Sequence, residues 1–121
     1  MDQNTIKRIQ ARQEQRRLNI LNHFNRGTAA LDLAKMALEH SSNSAEAAAR
    51  LLLSMENGTS FEFRFLLFLD VENRAKADLM TMGYKHHDRW PSKWIDAAGS
   101  NGKEIMNKVK RKWHFNPEVM Q

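Results

Sequence analysis

The chain has 121 residues, no cysteine, 41% hydrophobic residues and a formal charge of +5, which fits one domain of ordinary size. The missing thiols exclude disulfide staples, a cysteine nucleophile and cysteine-ligated metal. No apolar run approaches the ~20 residues needed to cross a bilayer, and the polar, charged start after Met1 is no signal peptide, so a cytoplasmic protein is expected.

The charge is unevenly spread. Residues 1–26 hold six Lys/Arg against two acids, residues 27–84 five against eight, and residues 85–121 eight against four. Both ends are therefore +4 and the middle is −3. Basic ends attract polyanions, whether nucleic acid, an acidic protein or a membrane face, unless they serve solubility alone.

In chain order, Asn4 to Arg26 lacks Pro and Gly and reads as a helix capped by Gly27. Leu18, Ile20, Leu21 and Phe24 can dock, whereas Gln10 to Arg17 offers only Ala11 as an apolar residue, so the N-terminal half is expected to project. Arg8, Arg12 and Arg16 fall four apart, with Arg17 beside them, which lines guanidinium groups along one face at about 6 Å intervals. This stripe either pairs with phosphates or carboxylates or belongs to a solvated arm.

Thr28 is expected to cap a second helix through about Glu39, with Leu31, Ala34 and Leu38 on one line and Leu33 and Ala37 beside it. A third helix starts at a cap on Asn43 or Ser44 and ends at Asn57-Gly58. Its alanines, Ala45 and Ala47 to Ala49, give way to Leu51 to Leu53 and Met55. These two helices predict an antiparallel hairpin.

Residues 60–84 hold four of the six Phe and are expected to form the centre of the core. Phe61, Phe63 and Phe65 alternate with Glu62 and Arg64, the period of an extended segment. Asp70 can cap a helix carrying Val71, Ala75, Leu79 and Met82 on its packed face before Gly83. If Phe65 and Phe68 do not both fit inside, this stretch presents a partner surface or a dimer seam.

Beyond it, Tyr84 to Trp90 is a polar connector, and Pro91 starts a short helix with Trp94 and Ile95. After a break at Gly99 to Gly102, a last helix from about Lys103 to Phe115 places Ile105, Val109 and Trp113 on one stripe. Asn116-Pro117 ends it, leaving a loose tail.

No nucleophile motif, phosphate-binding Gly-rich loop or dinucleotide fingerprint is present, so no catalytic residue and no cofactor are expected. His86, His87 and Asp88 form the one cluster of metal-ligand types, at a spacing that suits a solvated loop better than an ion. His23 and His40 flank helix ends, where an imidazole can meet terminal carbonyls. Lys108, Lys110, Arg111 and Lys112 concentrate cations around one helical turn, and Trp90 is the tryptophan most open to stacking on an unpaired base. No helix-turn-helix, zinc finger, basic zipper or aromatic sheet platform accompanies them.

Between about Leu31 and Trp113, Ala48-Ala49-Arg50-Leu51-Leu52-Leu53, Phe61-Glu62-Phe63, Leu66, Leu69-Asp70 and Ala77-Asp78-Leu79-Met80 resemble an uncharacterised small-domain family. That family is scattered through proteobacterial plasmids, integrative elements and phage-related regions. It commonly has polar residues or Gly where this chain has Phe65 and Phe68. The resemblance implies an accessory protein of a mobile element and implies no site residue.

The sequence thus predicts a mainly α protein, a compact bundle of about five helices with a short extended Phe-rich segment in its middle. Its expected divisions are a partly projecting basic helix (1–26), one helical domain (27–115) and a tail (116–121). The leading expectation is a non-enzymatic module binding DNA, RNA or nucleoprotein through both basic ends, gathered into a shared surface by Arg8, Arg12, Arg16, Arg17, Lys108, Lys110, Arg111, Lys112 and Trp90. The alternative is an inhibitor or adaptor, such as an anti-defence protein, that occupies a host protein's surface; no membrane partner is expected under either.

Overall fold

The computed structural model describes residues 2–83 and 90–113, and of residues 18–23 the backbone alone. Asp2 opens the first helix, its Oδ1 accepting a 2.7 Å hydrogen bond from the Thr5 amide. The first proline comes only at Pro91, and α1 runs unbroken over Gln3–Glu39, 37 residues or about 55 Å.

The stop expected at Gly27 does not occur. Glycine costs a helix interior about 1 kcal/mol relative to alanine, but here its missing Cβ serves packing. A Cβ at position 27 would overlap the Trp94 carbonyl and the Ala98 side chain. Thr28 is likewise no cap: its hydroxyl donates back to the Phe24 carbonyl at 3.1 Å, within the same helix. The boundary expected between residues 26 and 27 therefore falls inside one helix.

A corner at His40 to Ser42 turns the chain into α2, Asn43–Asn57. Ser42 is the cap, its Oγ accepting from the Ala45 amide at 3.2 Å, one residue ahead of the expected start. Gly58 closes the helix in the left-handed region at φ 72°. Ala45, Ala47 to Ala49, Leu51 to Leu53 and Met55 are all buried, and α2 packs on α1, on the Phe-rich segment and on the two C-terminal helices. The core spans α1, α2 and the two C-terminal helices, and residues 60–84 contribute Phe65, Leu69, Ala77 and Met80 to it rather than forming its centre.

That stretch is not extended. Phe63–Phe68 forms a 3-10 helix with only Phe65 buried. Four apolar residues at 65–68 sit poorly on a two-residue period, and three-residue turns let Phe65 face inward while Phe63 and Leu67 face out. Arg50 lies over the Phe65 ring at 4.5 Å, and Ser44 donates to the Phe68 carbonyl at 2.6 Å, fixing the segment to the start of α2.

Asp70 caps as expected, Oδ1 to the Asn73 amide at 2.8 Å, and α3 spans Val71–Gly83. Of the expected face only Leu79 packs against the core: Ala77 and Met80 are buried, whereas Val71, Ala75 and Met82 are exposed. Register against α1 decides this. Asn73 reaches Met36, Lys76 pairs with Asp32 at 3.4 Å, and buried Arg26 donates Nε to the Leu79 carbonyl at 3.3 Å. These three ties, taken in order, run backwards along α1, so α3 is antiparallel to it.

Trp90 is extended, and Pro91 starts α4, Pro91–Ala97, with Trp94 and Ile95 buried. Its N-terminal amide at Ser92 is held by Glu56 of α2 at 3.1 Å. The last element, α5, covers Gly102–Trp113. A Cβ at Gly102 would collide with the Ser92 backbone, so α4 is seated against backbone on both sides. Fully buried Leu33, Leu52, Met80, Trp94, Ile95 and Val109 each contribute roughly 1.5–3 kcal/mol of apolar transfer. The protein is mainly helical, and no described helix is long and apolar enough to cross a membrane.

Candidate nucleic-acid interface

Every residue from Gln3 to Arg17 is exposed, so the first ~22 Å of α1 stand clear of the bundle as an arm. Its five cations, Lys7, Arg8, Arg12, Arg16 and Arg17, face one acid, Glu14. Arg17 meets Glu14 at 3.5 Å with both side chains largely in solvent, which leaves little net neutralisation. Arg8, Arg12 and Arg16 have no carboxylate partner among the described residues. At the tip, the hydrogen bonds from the Thr5 amide and hydroxyl hold the Asp2 carboxyl below its ordinary range, keeping the capping charge in place at neutral pH.

The second basic cluster lies elsewhere. Lys112 directs Nζ onto the carbonyls of Ala37, Leu38 and His40, and the Trp113 indole donates to the Ala37 carbonyl at 2.8 Å. These bonds satisfy acceptors that the end of α1 would otherwise leave open, and they put a cation where the helix dipole is negative. Lys112 thus caps the end of α1.

Because α5 ends against the C-terminus of α1, its basic turn sits roughly 30–45 Å along α1 from Arg16 and Arg8. The two ends do not gather into a shared surface. Lys108 pairs with Glu104 at 3.5 Å. Lys110 and Arg111 are exposed, and Arg111 lines a shallow groove with Asn101, Lys103, Glu104 and Asn107. Trp90, 40% exposed, is the residue that enters α4 and belongs to neither cluster.

A third surface was only partly foreseen. Phe63 is 83%, Leu67 80% and Val71 90% exposed, with Phe68 half out. The departure from a two-residue period after Phe65 is the signal for it, but the exposure of Val71 follows from the register of α3 and has no local signature. His86, His87 and Asp88 lie outside the described residues, as do the connector from Tyr84 and the tail, and the His23 side chain is not described. The His40 carbonyl, by contrast, is placed, and accepts from Lys112.

Comparison with family models, with curated proteins and with solved structures finds no match.

Proposed function

We propose that this protein is a non-enzymatic module that binds nucleic acid or nucleoprotein, with the α1 arm as its principal contact and Lys108, Lys110 and Arg111 of α5 as a separate, lesser one. The observation that carries this reading is the arm itself: fifteen consecutive exposed helical residues, Gln3 to Arg17, with five cations against one acid. A helix that buries nothing yet holds a net +4 invites a polyanionic partner. The mobile-element setting implied by the resemblance belongs to the same proposal, and the neighbouring genes test it.

Titration of a labelled duplex and a labelled single strand at two salt concentrations tests the binding. With three or four phosphates engaged, affinity falls roughly 40- to 150-fold between 50 and 200 mM salt. Replacing Arg8, Arg12, Arg16 and Arg17 with Gln abolishes binding while leaving the fold intact. Absence of binding at low salt, or binding indifferent to those changes, defeats the proposal.

A second reading has its own observation. Phe63, Leu67 and Val71 are exposed apolar side chains within nine residues of sequence, of the kind that anchors a protein partner. An inhibitor or adaptor working through them retains a stoichiometric host protein after nuclease treatment and loses it on Phe63→Ser with Leu67→Ser.

A further inference from the structure

The arm's side chains are ordered around its axis as well as along it. At 3.6 residues per turn, Asn4, Arg8, Ala11 and Gln15 fall within an arc of about 60°, and all four are exposed. Lys7 lies about 40° outside one edge of that arc and Arg12 about 40° outside the other, with Arg16 beyond it. Ile6 and Ile9, the exposed apolar residues of the arm, point away from it. A narrow line of two amides, one guanidinium and one methyl is therefore flanked by Arg12 on one side and by Lys7, with Glu14 next to it, on the other.

We propose that the arm's ligand is duplex DNA, entered at the major groove, an inference that rests on the nucleic-acid reading above and specifies it. The groove is about 12 Å wide and admits one α-helix, whose diameter with side chains is about 10–12 Å. Phosphates then stand on both flanks, opposite Lys7 and Arg12. Between them, Arg8 matches the paired acceptors of guanine, Asn4 the donor and acceptor of adenine, and the Ala11 methyl the thymine methyl. Duplex RNA does not fit, because its major groove is too deep and narrow for side chains to read. An unpaired strand lacks a stacking surface here, since residues 3–17 contain no aromatic side chain.

The test uses the full-length chain and fluorescence anisotropy at 50 mM salt, after selection from a library of randomised DNA duplexes. Four probes are compared: the selected duplex, the same duplex carrying bulky C5 substituents on its pyrimidines, the RNA duplex of the same sequence, and the single strand. Filling the major groove leaves phosphate charge unchanged, so the substituted duplex is expected to bind at least tenfold more weakly, and the RNA duplex and single strand likewise. The charge-preserving Arg8→Lys and the Asn4→Ala variants erase the selected sequence while nonspecific affinity holds. Lys7→Gln weakens all duplexes evenly. Equal affinity for all four probes, or no sequence emerging from selection, overturns the groove assignment and leaves charge-driven binding standing. Failure to bind any of the four removes the nucleic-acid reading itself.

Discussion

The two halves of α1 are one continuous helix with opposite physical histories. From Ala29 to Ala37 the helix buries Ala29, Ala30, Leu33, Ala34 and Ala37, and tertiary packing holds its shape. From Gln3 to Arg17 nothing is buried, and helicity there depends on the cap at Asp2, on good helix formers and on propagation from the packed half, which removes the cost of nucleation. A long helix can therefore be anchored at one end and offer the other to a partner. On the proposed function, stability and binding reside in different residues of the same element.

That separation can be broken from either side. The largest effect is expected from Gly27→Val, where new side-chain atoms meet the Trp94 backbone; a loss of about 4 kcal/mol or more is expected, seen as loss of a cooperative thermal transition. Leu33→Ala, at a fully buried site, costs about 3 kcal/mol and is read from the midpoint of urea unfolding. Lys112→Met removes three bonds to the end of α1 and costs about 1–2 kcal/mol, whereas Lys110→Met leaves the urea midpoint within error. Exchanging Arg8, Arg12, Arg16 and Arg17 for Gln shifts stability by no more than about 0.5 kcal/mol while removing nucleic-acid affinity, so the two properties respond to disjoint sets of substitutions.

The smallest effect sharpens the comparison at the arm's tip. The folded-state pKa of Asp2 is depressed by its bonds to Thr5. Its contribution to helix is therefore complete above the unfolded value of 3.8 and is lost as pH falls through the lower folded one. Far-UV circular dichroism should show slight fraying of α1 below about pH 4, absent in Asp2→Asn, with the urea midpoint unaffected by that substitution.

How much could be read from the chain depended on how local each signal was. The Asp70 and Pro91 helix starts, the Gly58 stop and the burial of α2 depend on a few adjacent residues, and the helices stand where those residues put them. The projecting arm was legible for the same reason: eight residues from Gln10 to Arg17 with one apolar side chain among them have nothing to bury. Gly27, the inward face of α3 and the role of Lys112 were not legible. In each the deciding partner, Trp94, Met36 or Ala37, lies 37 or more positions away in sequence or is fixed only by helix register. The shared basic surface failed on the same ground, because charge counts carry no distances.

The seating of α4 has a consequence for how this architecture can diverge. Apolar neighbours can trade volume with one another, since a smaller residue here and a larger one there still fill the same space. Positions 27 and 102 have no such trade, because the groups that approach them most closely are main chain. Any lineage that keeps this arrangement is bound to hydrogen at those two points, and a pair of glycines 75 positions apart, the second closely preceded by a proline-led short helix, would mark kinship after the rest of the sequence had drifted beyond recognition.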